Sequence, residues 1–160
     1  MVALGKTDNG ASASTSTAVR QFVSQHTAVS SGWLVDGRCR VWLTTAATNP
    51  TRFVIYSSNG SAPVTLRAQS DILTLTTGSE TEKIYTFSGD NLIKIISGTA
   101  YWLGVAHNAA STMNWSRANT ASLVAQGVIT AGPTPPSSFG SVSALSGAAD
   151  AYINYNLFTT

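Results

Sequence analysis

Apolar and polar positions alternate along most of this chain with a period of two. In RCRVWLTT, Cys39, Val41 and Leu43 share one side while Arg38, Arg40, Trp42 and Thr44 share the other, because successive side chains of an extended strand point to opposite faces. In TRFVIYS, Phe53 and Ile55 oppose Arg52, Val54 and Tyr56. Each of these strands thus has a core face backed by a face carrying arginine and aromatic residues, which is open to a cover or a partner. Runs of strand length fall at 19–28, 38–45, 52–57, 64–68, 72–77, 83–88, 92–96, 101–107, 112–117, 122–130 and 151–158. Turn chemistry separates them: Asp36-Gly37, Asn49-Pro50, Asn59-Gly60, Gly89-Asp90-Asn91 and Ser97-Gly98. No stretch sustains a helical period. Short strands at this density predict an all-β antiparallel sandwich.

The stretch YSSNGSAP predicts a hairpin. Asn-Gly is the pair best suited to two consecutive positive φ angles, which places Tyr56 and Val64 on neighbouring strands. Pro63 then opens the second strand, where its missing N–H is tolerated.

Two segments break the pattern. Residues 5–17 (GKTDNGASASTST) are small and polar, so residues 1–17 read as an extended N-terminal arm whose apolar anchors are Val2 and Leu4. Residues 18–160 then form a single sandwich domain. The stretch 131–148 carries Pro133, Pro135, Pro136 and Phe139 among Ser and Gly. Loops of that length tend to be functional, and Pro135 and Phe139 are read as interface residues.

Composition narrows the function. About a quarter of the 160 residues are Ser or Thr, 10% are charged and the net charge is +2, with the nine basic residues dispersed. Nucleic-acid binding calls for a clustered basic patch and is not expected. No apolar run approaches a membrane span, and MVALGKTDNG lacks a secretory core, so synthesis in a cytoplasm is expected. The single Cys39 lies in an apolar alternation and reads as a buried reduced thiol.

Candidate chemistry is sparse. His26 and His107 fit no metal spacing, and the seven carboxylates lie mostly beside turns and strand ends. No nucleophile elbow, phosphate loop or calcium loop occurs. The expectation is a protein with no catalytic residues, metal or cofactor. The tryptophans suggest a different chemistry, because planar aromatics stack on sugar rings: Trp33, Trp42, Tyr56 and Trp115, with Arg38 and Arg40, are candidates for a glycan or partner face. Trp102, in an apolar run, reads as core.

A resemblance adds to this. Leu4-Gly5-Lys6-Thr7 with Gly10, then FVIYSSNGSAP from Phe53, Leu66 with Ala68-Gln69-Ser70, Gly98-Thr99 before YWLGV from Tyr101, SRANT from Ser116, and Gly132-Pro133 with Phe139-Gly140 occur in one order. Together they resemble the small jelly-roll module of tailed-bacteriophage virion proteins and of some bacterial surface proteins. Val64, Arg67 and the inserted Ala100 depart from its usual pattern. The resemblance covers most of the chain and implies a jelly-roll fold. It also implies a non-enzymatic virion protein made in the host cytoplasm: a capsid decoration (cement) protein, or otherwise a tail component, contacting capsid or tail subunits as a homo-oligomer, with a trimer implied. The alternative is a carbohydrate-binding module or tail-fibre component that recognises host glycans.

Overall fold

The structure, a computed structural model, describes residues 1–5, 7, 12–16, 19–45, 48–108, 112–118, 124–128, 133–140, 143–144, 148–149 and 151–158. In chain order the strands are β1 (Val2–Gly5), β2 (Ser12–Ser16), β3 (Arg20–Thr27), β4 (Gly32–Leu43), β5 (Thr48–Ser58), β6 (Pro63–Gln69), β7 (Leu73–Thr76) and β8 (Thr81–Thr86). They continue as β9 (Lys94–Ile95), β10 (Ala100–His107), β11 (Met113–Ala118), β12 (Val124–Val128), β13 (Ser143–Ala144), β14 (Ala148–Ala149) and β15 (Ala151–Leu157).

These strands make two antiparallel sheets packed face to face, an all-β sandwich. In sheet A the long strand β4 is central. Its one side pairs with β15 and then β11, and its other side with β8 and β9. Strands β1 and β2 form the outer edge on β15 and β11. Sheet B runs β13-β12-β3-β10-β5-β6, with β7 also on β5. The chain crosses between sheets at β2 to β3, β3 to β4, β4 to β5, β7 to β8, β9 to β10, β10 to β11, β11 to β12 and β13 to β14, so more than half of the connections tie the two layers together.

The alternation explains the core. Cys39, Val41 and Leu43 of β4, with Ile153 and Tyr155 of the adjacent β15, form one buried cluster with Phe53 and Ile55 of β5 and Leu103 and Val105 of β10 in the other sheet. Gly37, read from sequence as a turn residue, instead lies within β4: a Cβ there would come within 2.7 Å of the Phe53 ring, so the missing side chain lets the sheets close over that ring. Asn49-Pro50 likewise sits inside β5, where buried Asn49 accepts from the Asn108 amide and donates to the Asn108 carbonyl at 3.0 and 2.7 Å.

The hairpin forms where expected, with Ser58 opposite Pro63, but its tip differs from the predicted pair of positive φ angles. Only Gly60 is positive, at 104°, and the Asn59 side chain does the remaining work by accepting from the Ser61 and Ala62 amides at 3.1 and 2.9 Å.

Two expected partner segments are used within the chain itself. Leu4 is buried in the main core with Val2 packed against that core, and residues 2–5 and 12–16 are paired edge strands, not an arm reaching outward. The reason is pairing: β15 and β11 would otherwise present bare edges. Pro135 and Phe139 are also buried, against the outer face of sheet B. There Val23, Val54, Tyr56, Trp102, Ala106, Ala125 and Phe139 form a second apolar cluster. Phe139 meets Tyr56 edge to face at 5.0 Å, and its amide donates to the Val64 carbonyl at 2.8 Å. The Leu66 amide donates to the Ser137 carbonyl, also at 2.8 Å, so this strap closes the outer edge of β6 as well as covering the sheet.

Candidate binding face on the outer side of sheet A

On the outer face of sheet B, the aromatic residues Tyr56 and Trp102 are buried in the cluster that Phe139 completes. The outer face of sheet A is the one that keeps large aromatic side chains, Trp33 and Trp42, within reach of solvent. Its axis is β4. Asp36, Arg38, Arg40 and Trp42 project outward by simple alternation, whereas Trp33 has the opposite parity. A β-bulge brings it to the same side: Asn154 pairs with Asp36 but Tyr155 pairs with Leu34, leaving Val35 as the extra residue. Trp33 therefore turns outward, 54% exposed, while Leu34 enters the core.

Between the two tryptophans lies a connected polar strip. Arg38 donates through Nε and Nη2 to the two Asp36 carboxylate oxygens at 3.2 and 3.3 Å, and through Nη1 to Glu82 Oε2 at 3.1 Å. Asn154 Nδ2 donates to Asp36 Oδ1 at 2.7 Å, and Tyr152 Oη to Glu82 Oε1 at 2.9 Å. The bonds to Asp36 first, then those to Glu82, hold the guanidinium charged well above its ordinary range. Burial, then the bond to Glu82, pushes the Tyr152 phenol upward, so it stays a neutral donor. The strip is fixed in place by mutual bonding, with Arg38 as its hub.

At the Trp33 end, Phe158 meets the indole nearly at right angles at 5.9 Å, and the Lys94 ammonium sits 4.4 Å over the Phe158 ring. At the other end Trp42 is half-buried and pairs across to Asn114, whose Oδ1 accepts from the Thr15 hydroxyl at 2.7 Å.

Of the residues expected on one glycan or partner face, the structure brings together Trp33, Arg38, Arg40 and Trp42. It removes two. Trp115 pairs with Val41 and so shares its inward parity. It is 6% exposed in the main core, stacked on Phe22 at a centroid distance of 3.9 Å. Tyr56 belongs to the other sheet, lies under Phe139, and donates its hydroxyl to Gln21 Oε1 and the Pro136 carbonyl at 2.9 and 3.0 Å. Burial raises its phenol out of the ordinary range. The sequence reading missed Asp36, Glu82, Tyr152 and Asn154, which come from strands distant in sequence and meet only through the pairing of β8 and β15 with β4. The break in parity at Leu34, Val35 and Asp36 was the available signal for the bulge.

Among the described residues no group of three or more His, Cys, Asp or Glu lies where it could hold a metal. His107 is buried, stacked on Phe22 at 5.6 Å, and its Nδ1 donates to the Asn108 carbonyl at 2.9 Å. Its pKa is lowered, chiefly by burial. No protein-family model matches the chain, and a search of curated proteins finds no match.

Proposed function

We propose that this chain is a non-enzymatic structural protein of a bacteriophage particle, a capsid decoration protein that binds and stabilises the assembled shell. The observation that carries this reading is a group of exposed apolar side chains at one end of the sandwich. Val29, Trp33, Ile96 and Leu157 surround the start of β4: Leu157 pairs with Gly32, Ile95 pairs with Gly32 from the other side, and the Ser97 hydroxyl donates to the Val29 carbonyl at 3.1 Å. Clustered exposed apolar side chains of this kind suit a protein neighbour. The strand orders β1-β15-β4-β8 and β3-β10-β5-β6 support the jelly-roll part of the reading, and the residues carrying the resemblance to virion modules support the virion part. Contacts made only to the assembled lattice would stabilise it by mass action. With Leu4 and Phe139 used internally, docking falls to this apolar end.

The test is co-sedimentation with expanded, undecorated capsids of the phage that encodes the chain, with light scattering of the free protein for its oligomeric state. Saturation at a fixed ratio to capsid subunits, a raised shell melting temperature, and loss of both in Val29→Ser/Leu157→Ser are expected. Failure of the folded protein to pellet with shells overturns the reading.

A further inference from the structure

We infer that the strip along β4 is a binding site for an extended, neutral, β-1,4-linked polysaccharide chain, with Trp33 and Trp42 as its two stacking ends. This inference stands apart from the virion reading and does not need it.

Four observations lead there. First, the two indoles lie on one face of one strand, about eight strand steps apart once the bulged residue is discounted, which is roughly 26 Å at 3.3 Å per residue. That separation is too long for one sugar ring and suits several rings in line. Second, the face is a sheet flanked by small residues on its edge strand β1: Ala3 and Gly5 lie opposite Asn154 and Tyr152. An extended β-1,4-linked chain is itself a flat ribbon and can lie along such a surface, whereas a coiled or branched glycan touches it at one point. Third, the strip is internally neutralised. Arg38 is shared between Asp36 and Glu82, so an ionic ligand would have to break that pairing, while hydroxyl groups can add to carboxylate, amide and phenol atoms already fixed in direction. Fourth, Trp33 is braced by Phe158, so little side-chain freedom is lost when a ring stacks on it.

Those features also rank the residues. Trp33 and Trp42 supply stacking area. Arg38 keeps Asp36 and Glu82 oriented and acts as a positioning residue. Arg40, opposite Glu82 and between Arg38 and Trp42 on the same face, supplies donors to the central rings.

The experiment is isothermal titration with the hexaoses and dioses of cellulose, chitin, mannan and xylan, with oligogalacturonate as the charged control. At least one neutral hexaose should bind saturably, about tenfold or more tighter than its diose, since a tenfold ratio is the expected return from engaging the second end. Trp33→Ala and Trp42→Ala should each weaken it about tenfold without lowering the melting temperature by more than a few degrees. Arg38→Lys should weaken binding less than Arg38→Met, because a lysine restores charge but not the two-sided fork. No saturable heat with any of the four hexaoses overturns the inference. So does equal affinity for hexaose and diose, tighter binding of oligogalacturonate, or a hexaose affinity indifferent to both tryptophan variants. Capsid co-sedimentation measured on the same Trp42→Ala protein separates the two proposals, since the apolar end that carries shell docking lies at the opposite end of β4.

Discussion

Removing the Phe139 ring should release the strap from sheet B and lower stability by about 2–4.5 kcal/mol. A buried phenylalanine side chain contributes roughly 1.5–3 kcal/mol by removal from water, and an edge-to-face partner such as Tyr56 adds about 0.5–1.5 kcal/mol. Full truncation in a closed core costs about 3–5 kcal/mol, but here the neighbours need not keep a cavity: the strap can lift away and let water in, which caps the loss at what docking contributes. For a chain of this size about 1 kcal/mol corresponds to a 2–4 °C shift, so Phe139→Ala should melt roughly 4–18 °C lower. The assay pairs thermal melting with amide hydrogen exchange. The Leu66 and Phe139 amides, which donate to Ser137 and Val64, should lose protection, while the Phe53 amide, held by the Ser70 hydroxyl at 2.9 Å, should keep it. Trp102 fluorescence should shift to the red as its surroundings gain water. Phe139→Leu should recover most of the loss, and Thr134→Ala, an exposed position on the same segment, should change nothing. A melting shift below about 1 °C with the Leu66 amide still protected would refute the claim that Phe139 holds the strap.

Gly104→Ala should abolish folding, because a Cβ would land 1.7 Å from the Phe22 carbonyl oxygen, whereas Gly78→Ala meets nothing within 4 Å and should melt as the parent does; soluble yield and circular dichroism read both. Trp115→Ala should cost about 3–5 kcal/mol in denaturant unfolding and Trp42→Ala much less, since only the former leaves a hole between the sheets. His107 titrates lower folded than unfolded, so as pH falls below the unfolded value of about 6.5 the unfolded chain binds a proton that the folded one refuses. Stability should therefore drop from pH 7 toward 5, and His107→Asn, scanned by melting temperature against pH, should flatten that slope.

How much of this was readable beforehand depended on whether the signal was local. Alternation located the eleven expected strands and assigned Cys39, Val41, Leu43, Phe53 and Ile55 to the core, because the period-two rule acts within a few residues. It gave no means of knowing that Tyr56 and Trp42, both on the non-core faces of their strands, end on opposite outer surfaces of the sandwich; only the pairing of β5 with β10 and of β4 with β15 decides that. Trp115 looked exposed because its neighbours Asn114 and Ser116 are polar, yet both of these are buried too. Residues 2–5 and 12–16 carry no strand propensity worth reading. They are strands because β15 and β11 supply a template.

The pairing of β1 with β15 also fixes the timing of folding. Val2 lies opposite Tyr155, so β1 waits for β15 to be made. At synthesis rates of about 5–20 residues per second that wait is roughly 8–30 s. Throughout it Leu4 lacks the strand that pairs beside it, and β4, the axis of sheet A, lacks the neighbour that holds its bulge. A chain ending before Ala151 would therefore lack the outer edge, the bulge and the outward Trp33 together, and would not be a smaller version of this domain.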